Sequence, residues 1–248
     1  LALIRSKDWI GIDKFLHKFQ QAVRSLKFLP VPVVGAPSGM AIGGGFEVLL
    51  HSDKIIAHSN SVLGLVESGV GLIPGGGGVK ETYLRCFEKL GNQNDAAWKT
   101  WMQIGYGQTG TSPEKSAELL YYLSERDQTE MNRDYLINSA IASIKEINAL
   151  GYKAPELKTV SLPGNSILKK MSDFMDNGIE NGMFYKHDKT VAMQVASVVV
   201  NNEEDKILLL NEDELFNRER QAFINLAKTQ PTLDRISALI EKGINLRN

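Results

Sequence analysis

Two glutamates and two glycine clusters carry the clearest chemistry in this sequence. Glu47 stands two residues after a glycine triplet in "SGMAIGGGFEVLL", and Glu67 follows in "LGLVESGVGLIPGGGG". Two carboxyl groups with separated proton affinities can act as base and acid on one water molecule. A helix that opens on glycine offers unpaired N–H groups and the positive end of its dipole, which together can hold a developing oxyanion. Gly44 is placed to donate such an N–H. Each acid also has a plainer reading. Acids favour helix N-termini for the dipole alone, and Glu67 fits a solvated loop carboxylate.

Other chemistries fail on spacing. No glycine is followed by Lys and then Ser or Thr, so a Walker loop is excluded. The run "GVGLIPG" puts one residue too many before its last glycine for a dinucleotide fingerprint, and Pro74 removes an amide donor. His17, His51, His58 and His187 show no metal-ligand spacing, so no metal site is expected. No serine carries a nucleophile elbow. Cys86, the only cysteine, reads as a small buried hydrophobe and rules out an internal disulfide.

The elements that must position the two acids are readable around them. From residue 8 to 27, Ile12, Leu16, Phe19, Val23 and Leu26 recur at helical spacing, with Asp8 or Asp13 near the start, and Pro30 and Pro32 end the helix. "VPVVGAPSG" predicts a buried strand and turn, "EVLLHSD" a short helix, "KIIAH" and "SVLGLV" two further strands. "GVGLIPGGGG" predicts a loop and "VKETYLRCFEKL" a helix. This order predicts an α/β unit with parallel pairing over residues 1–111. Beyond about Gly91 strand patterns fade, and helices are expected around 113–123, 131–150, 167–175, 188–200, 212–228 and 232–242, a helical region spanning 112–248. "GYKAPELKTVSLPGNS" reads as a connection. Three short strands make a poor parallel sheet, so further strands upstream or a partner are expected to complete it.

Composition narrows the field. Lys plus Arg number 28 against 29 Asp plus Glu, which gives no electrostatic footprint for nucleic acid. No window approaches the roughly 18 apolar residues of a membrane-spanning helix, and the opening run is too short for a signal peptide. A cytoplasmic location is the expectation. The chain opens on Leu1 rather than Met and is expected to be part of something longer.

The run from "PVPVVGAPSGMAIGGGFEVLL" through "HSDKIIAHSNSVLGLVESGVGLIPGGGGVKE" resembles the central signature of the enoyl-CoA hydratase/isomerase, or crotonase, superfamily. Glu47 and Glu67 keep the twenty-residue separation of its two glutamates. "GMFYKHDKTVAMQVASVV" and the closing "RERQAFINLAKTQPTLDRISALIEKGINLRN" are similar to the tail of bacterial bifunctional 3-hydroxyacyl-CoA dehydrogenase/enoyl-CoA hydratases of fatty-acid β-oxidation.

The resemblance implies a crotonase-like (ClpP/crotonase) α/β fold lacking its N-terminal strands, with a large helical C-terminal part. It implies an enoyl-CoA thioester held by the Gly44 N–H, with Glu47 and Glu67 delivering water across the double bond and the Gly75 amide lining the water site. No cofactor is implied for this chain, whereas NAD would serve a dehydrogenase part outside it. The remainder of a parent protein and further copies in an oligomer are the implied partners. Val66 stands where the family usually has Pro, and the second oxyanion donor would lie upstream of Leu1. An isomerase shifting a Δ3 double bond to Δ2, or a non-catalytic fragment lacking a complete oxyanion hole, remain the alternative readings.

Overall fold

The structure, a computed structural model, describes every residue except Ser124. It opens with helix α1 (Ala2–Arg5) and helix α2 (Trp9–Lys27). Asp8 caps α2 by accepting the Gly11 N–H at 2.8 Å. The expected apolar stripe is there: Ile12, Leu16 and Val23 are buried, while Phe19 and Leu26 are half-buried. Gln20 interrupts the stripe but is fully satisfied, donating to the carbonyls of Gly75 and Phe216 at 2.9 Å each.

The α/β unit follows as strand β1 (Val34–Gly35), strand β2 (Met40–Ile42), helix α3 (Gly44–Leu50), strand β3 (Lys54–His58) and strand β4 (Val62–Gly64). β1 pairs parallel with β3, and β2 pairs parallel with β4 in the register Ile42 opposite Gly64. That register brings the two chain ends that lead to Glu47 and Glu67 side by side. Helices α4 (Gly78–Leu90) and α5 (Gln93–Tyr106) come next. α5 was not expected from the sequence: the polar run before it is its cap, with Asn92 accepting the Asp95 N–H at 2.8 Å.

The rest comprises strand β5 (Thr109–Gly110), helix α6 (Pro113–Glu118), strand β6 (Gln128–Glu130), helix α7 (Leu136–Ala149) and strand β7 (Thr159–Leu162). It closes with helices α8 (Ser166–Glu180) and α9 (Lys186–Val199), strand β8 (Leu208–Asn211), and helices α10 (Glu212–Ala227) and α11 (Gln230–Lys242). The C-terminal helices follow their sequence patterns, although α6 stops at Glu118 instead of near 123 and α7 starts at Leu136 instead of near 131, and that region also contributes strands. β6 joins β3 in parallel, and β7, inside the segment read as a connection, pairs antiparallel with β8. β6 escaped notice because it is three polar residues long, and β7 because its partner lies a helical pair away in sequence. β5 similarly pairs antiparallel with β4.

One continuous apolar core runs from Ile12 and Leu16 through Phe46, Leu63 and Ile73 to Val195, Leu215 and Ile236. Burial of this order, at about 25 cal/mol per Å² of apolar surface, is what offsets chain entropy. Trp101 locks α5 to α9 by donating its indole N–H to the Ala192 carbonyl at 2.8 Å. Among the described residues no helix is long and apolar enough to cross a membrane.

Candidate active site

Gly43 sets the geometry. It caps α3 at φ 57°, ψ −134°, a backbone conformation essentially reserved for glycine, and its N–H donates to the Gly64 carbonyl at 2.9 Å, extending the β2–β4 pairing. The N–H of Gly44, first residue of α3, meets no acceptor among the described residues. One turn on, Glu47 is buried at 2 % exposure. Its Oε1 accepts two backbone N–H groups, from Gly76 at 2.7 Å and Gly78 at 2.8 Å. A side chain at residue 78 would put Cβ 2.7 Å from Pro74 and 2.9 Å from Glu47 Oε1, so glycine there permits the grip.

Glu67 opens a 3₁₀ turn (Glu67–Val70) three residues past β4. Its Oε1 lies 3.1 Å from where a Cβ on Gly43 would stand, and its Oε2 is buried with no hydrogen-bond partner. Val66, just before it, has φ −118°, an angle proline cannot adopt, so the departure from the usual Pro fits the local backbone. The turn ends at Gly71, φ 78°, whose carbonyl accepts the Thr232 hydroxyl of α11 at 2.7 Å.

Beyond Gly43 and Glu67 opens a cavity of about 650 Å³. Trp101, Met102, Tyr106, Phe174 and Phe184 supply much of its wall, and Asp188 and Arg247 add charge to its lining. Glu47 and Gly44 do not line it, so of the two glutamates Glu67 is the one that faces this space.

The electrostatics favour one shared proton. Burial pushes Glu67 up to about 7. Burial, then the neighbouring charges of Glu67 and Glu219, push Glu47 well above the carboxylate range, while the Gly76 and Gly78 N–H groups pull the other way. Two such acids cannot both ionise cheaply. The Gly76 and Gly78 N–H groups favour charge on Glu47, the backbone of Val66 and Glu67 pulls Glu67 the same way, and Glu67 Oε2 has no partner.

Against this geometry, residues 9–94 match the family model described as Enoyl-CoA hydratase/isomerase. Over 245 residues the chain is 31% identical to a Bacillus subtilis protein named as a 3-hydroxyacyl-CoA dehydrogenase, covering 99% of this chain and 31% of that one. It is 28% identical over 242 residues to a Rickettsia prowazekii protein named as a fatty acid oxidation complex trifunctional enzyme, covering 97% of this chain and 30% of that one. An enoyl-CoA hydratase/isomerase from Xanthobacter autotrophicus shares the fold at TM-score 0.55 and 14% identity, over 98% of this chain and 70% of the other. Residues 9–94 are thus similar to the enoyl-CoA hydratase/isomerase family, and the chain has a crotonase-type fold. The chain spans about 31% and 30% of the length of those two curated relatives.

Within this crotonase-type fold the structure brings Glu47, Glu67 and Gly44 to one place. Gly75 directly precedes Gly76 in sequence: its carbonyl accepts from Gln20, and the amides that reach Glu47 belong to Gly76 and Gly78. Sequence reasoning missed a third acid. Glu219 of α10 is 0 % exposed and accepts N–H groups from Gly77 at 2.6 Å, Val79 at 3.0 Å and Lys80 at 3.1 Å. Burial pushes it up to about 8, against the pull of those amides and of Lys80. The signal was present. Glu219 occupies the same helix face as the buried Leu215, Phe216 and Ala222, where an acid needs a partner.

His51 is a packing residue. It is 1 % exposed, stacks on Phe216, and its Nδ1 donates to the Glu47 carbonyl at 2.7 Å. Burial lowers it to about 3, so it stays neutral. Behind it lies a buried ion cluster in which Lys27 binds Glu81 at 2.8 Å and Glu212 at 2.5 Å, and Lys80 pairs with both acids. Cys86 is free and buried.

Proposed function

We propose that the protein carrying this chain hydrates 2-enoyl-CoA to 3-hydroxyacyl-CoA in fatty-acid β-oxidation. A 3-hydroxyacyl-CoA dehydrogenase activity using NAD would lie outside these residues. The observation that carries the reading is the pairing of two buried acids, one oxygen of Glu47 held by two N–H groups and one oxygen of Glu67 without a partner, beside an unpaired N–H.

In this reading the thioester carbonyl accepts the Gly44 N–H and the acyl chain enters the apolar cavity. Ionised Glu47 takes a proton from water as the water oxygen bonds to C3. Electrons of the C2–C3 double bond shift toward the thioester carbonyl, where the N–H stabilises the enolate-like charge. Protonated Glu67 then delivers its proton to C2. One water is added across the double bond, and a proton transfer from Glu47 back to Glu67 restores the starting state.

Isomerisation of a 3-enoyl-CoA needs a proton moved between carbons and no water, for which one acid suffices. The presence of both Glu47 and Glu67 favours hydration. The test is the full protein with crotonyl-CoA, read by loss of the enoyl absorbance and by 3-hydroxybutyryl-CoA formed. Double-bond migration in 3-hexenoyl-CoA without water addition would overturn hydration in favour of isomerisation.

A further inference from the structure

We propose that Glu219 is a positioning residue for Glu47, fixing the amides that hold its carboxylate and acting on it through space. Five consecutive backbone N–H groups at the start of α4 divide between the two acids. Gly76 and Gly78 donate to Glu47, while Gly77, Val79 and Lys80 donate to Glu219. The segment is therefore held by two carboxylates from α3 and α10, and neither can move without changing what the other binds. Both Glu219 oxygens accept N–H groups, so no oxygen is spare to turn elsewhere. Gly77 adopts φ 98°, which turns its N–H away from its neighbours' direction and makes the alternation sterically available.

A cap that served stability alone would need no relation to Glu47. Here the relation is built in, because the loop between the capped amides is the loop that binds the acid. The Glu219 charge also adds to the upward push on Glu47. The groups facing the pair are Glu67 from the 3₁₀ turn and Lys80 from α4, with Lys27, Glu81, Glu212 and His51 in the cluster behind.

The inference rests on the hydration reading, and the test separates the two. In the full protein, Glu219→Gln keeps the shape but sets an amide against N–H donors. The expected result is a kcat about 100-fold lower with KM nearly unchanged, as for a small misplacement of a catalytic group. The limb of the pH–rate profile governed by Glu47 is expected to move toward acid, because the Glu219 charge that adds to the upward push on Glu47 has gone. Glu219→Asp should keep that limb in place while still lowering kcat.

Hydrogen exchange of the 76–80 amides provides a readout independent of turnover, with faster exchange expected in Glu219→Gln. If wild type hydrates no enoyl-CoA, the hydration reading falls, and accelerated exchange together with a lowered Glu47 titration still upholds the positioning role. A folded Glu219→Gln protein with wild-type kcat and an unmoved limb overturns the proposal, as does unchanged exchange. If Glu219→Gln does not fold, Glu219→Asp decides: wild-type kcat and exchange would overturn the role, and a lowered kcat with faster exchange supports it.

Discussion

Glu67 and Gly43 meet so closely that the carboxylate Oε1 lies 3.1 Å from the place a Cβ on residue 43 would occupy. Position 43 therefore carries two demands, a backbone angle of φ 57° and space for an acid. Gly43→Ala is expected to destabilise the protein by about 1–3 kcal/mol through backbone strain and to push Glu67 off line. Thermal melts and crotonyl-CoA hydration should both fall, with activity lost even at temperatures where the variant stays folded.

The two acids have separable roles. Glu47→Gln and Glu67→Gln should each slow hydration by roughly 10²–10⁴-fold, the usual worth of a positioned acid or base. Wild-type rates in both would remove the mechanism. The wild-type kcat/KM should also fall as pH rises past about 7, where burial places the Glu67 proton.

The raised proton affinity of Glu67 has a sign for stability. Its folded value, about 7, lies above the ordinary carboxyl value, so the folded state holds a proton the unfolded chain has released. Stability from this group is fully present at low pH and is lost as pH rises through 7. Glu67→Gln keeps the neutral shape at every pH. It should melt above wild type at pH 8, by up to roughly 3 kcal/mol, and the gap should close toward pH 5. Reading the difference between the two proteins cancels the opposing effect of buried, neutral His51, which loses stability below its ordinary range. A gap that is constant with pH would contradict the assignment.

The ion cluster of Lys27, Lys80, Glu81 and Glu212 should behave as a balanced set. Against the upward push of burial, Lys80 and Lys27 hold Glu81 well below the usual range. Glu81→Gln alone leaves excess buried positive charge and should cost about 3–5 kcal/mol. Adding Lys80→Met should recover part of that loss, which a double-mutant cycle by denaturant unfolding would measure.

Much of this was legible beforehand because local chemistry matched the fold. Asp8, the stripe of Ile12, Leu16 and Val23, and the punctuation at Pro30 and Pro32 located α2 to within a residue. The glycine triplet and the two acids located the site. What stayed hidden depends on partners distant in the chain. β6 is a strand only because β3 accepts it, and β7 only because β8 returns beside it. The periodicity of α10 marks Glu219 as a buried acid, but the α4 amides that partner it are written in no local pattern. The Gly75 carbonyl turned to Gln20 for the same reason.

The Thr232 hydroxyl on the Gly71 carbonyl joins the last helix to the turn that bears Glu67. Glu219, on α10, likewise reaches back to the start of α4. The strands and glycines of the site leave the ribosome before α10 and α11, which supply groups that hold the segments bearing both acids. A nascent chain can therefore pair β2 with β4 long before it can hold a working carboxyl pair. Loop closure over such separations is slow relative to local pairing, so catalytic competence should be the final event of folding rather than an early one.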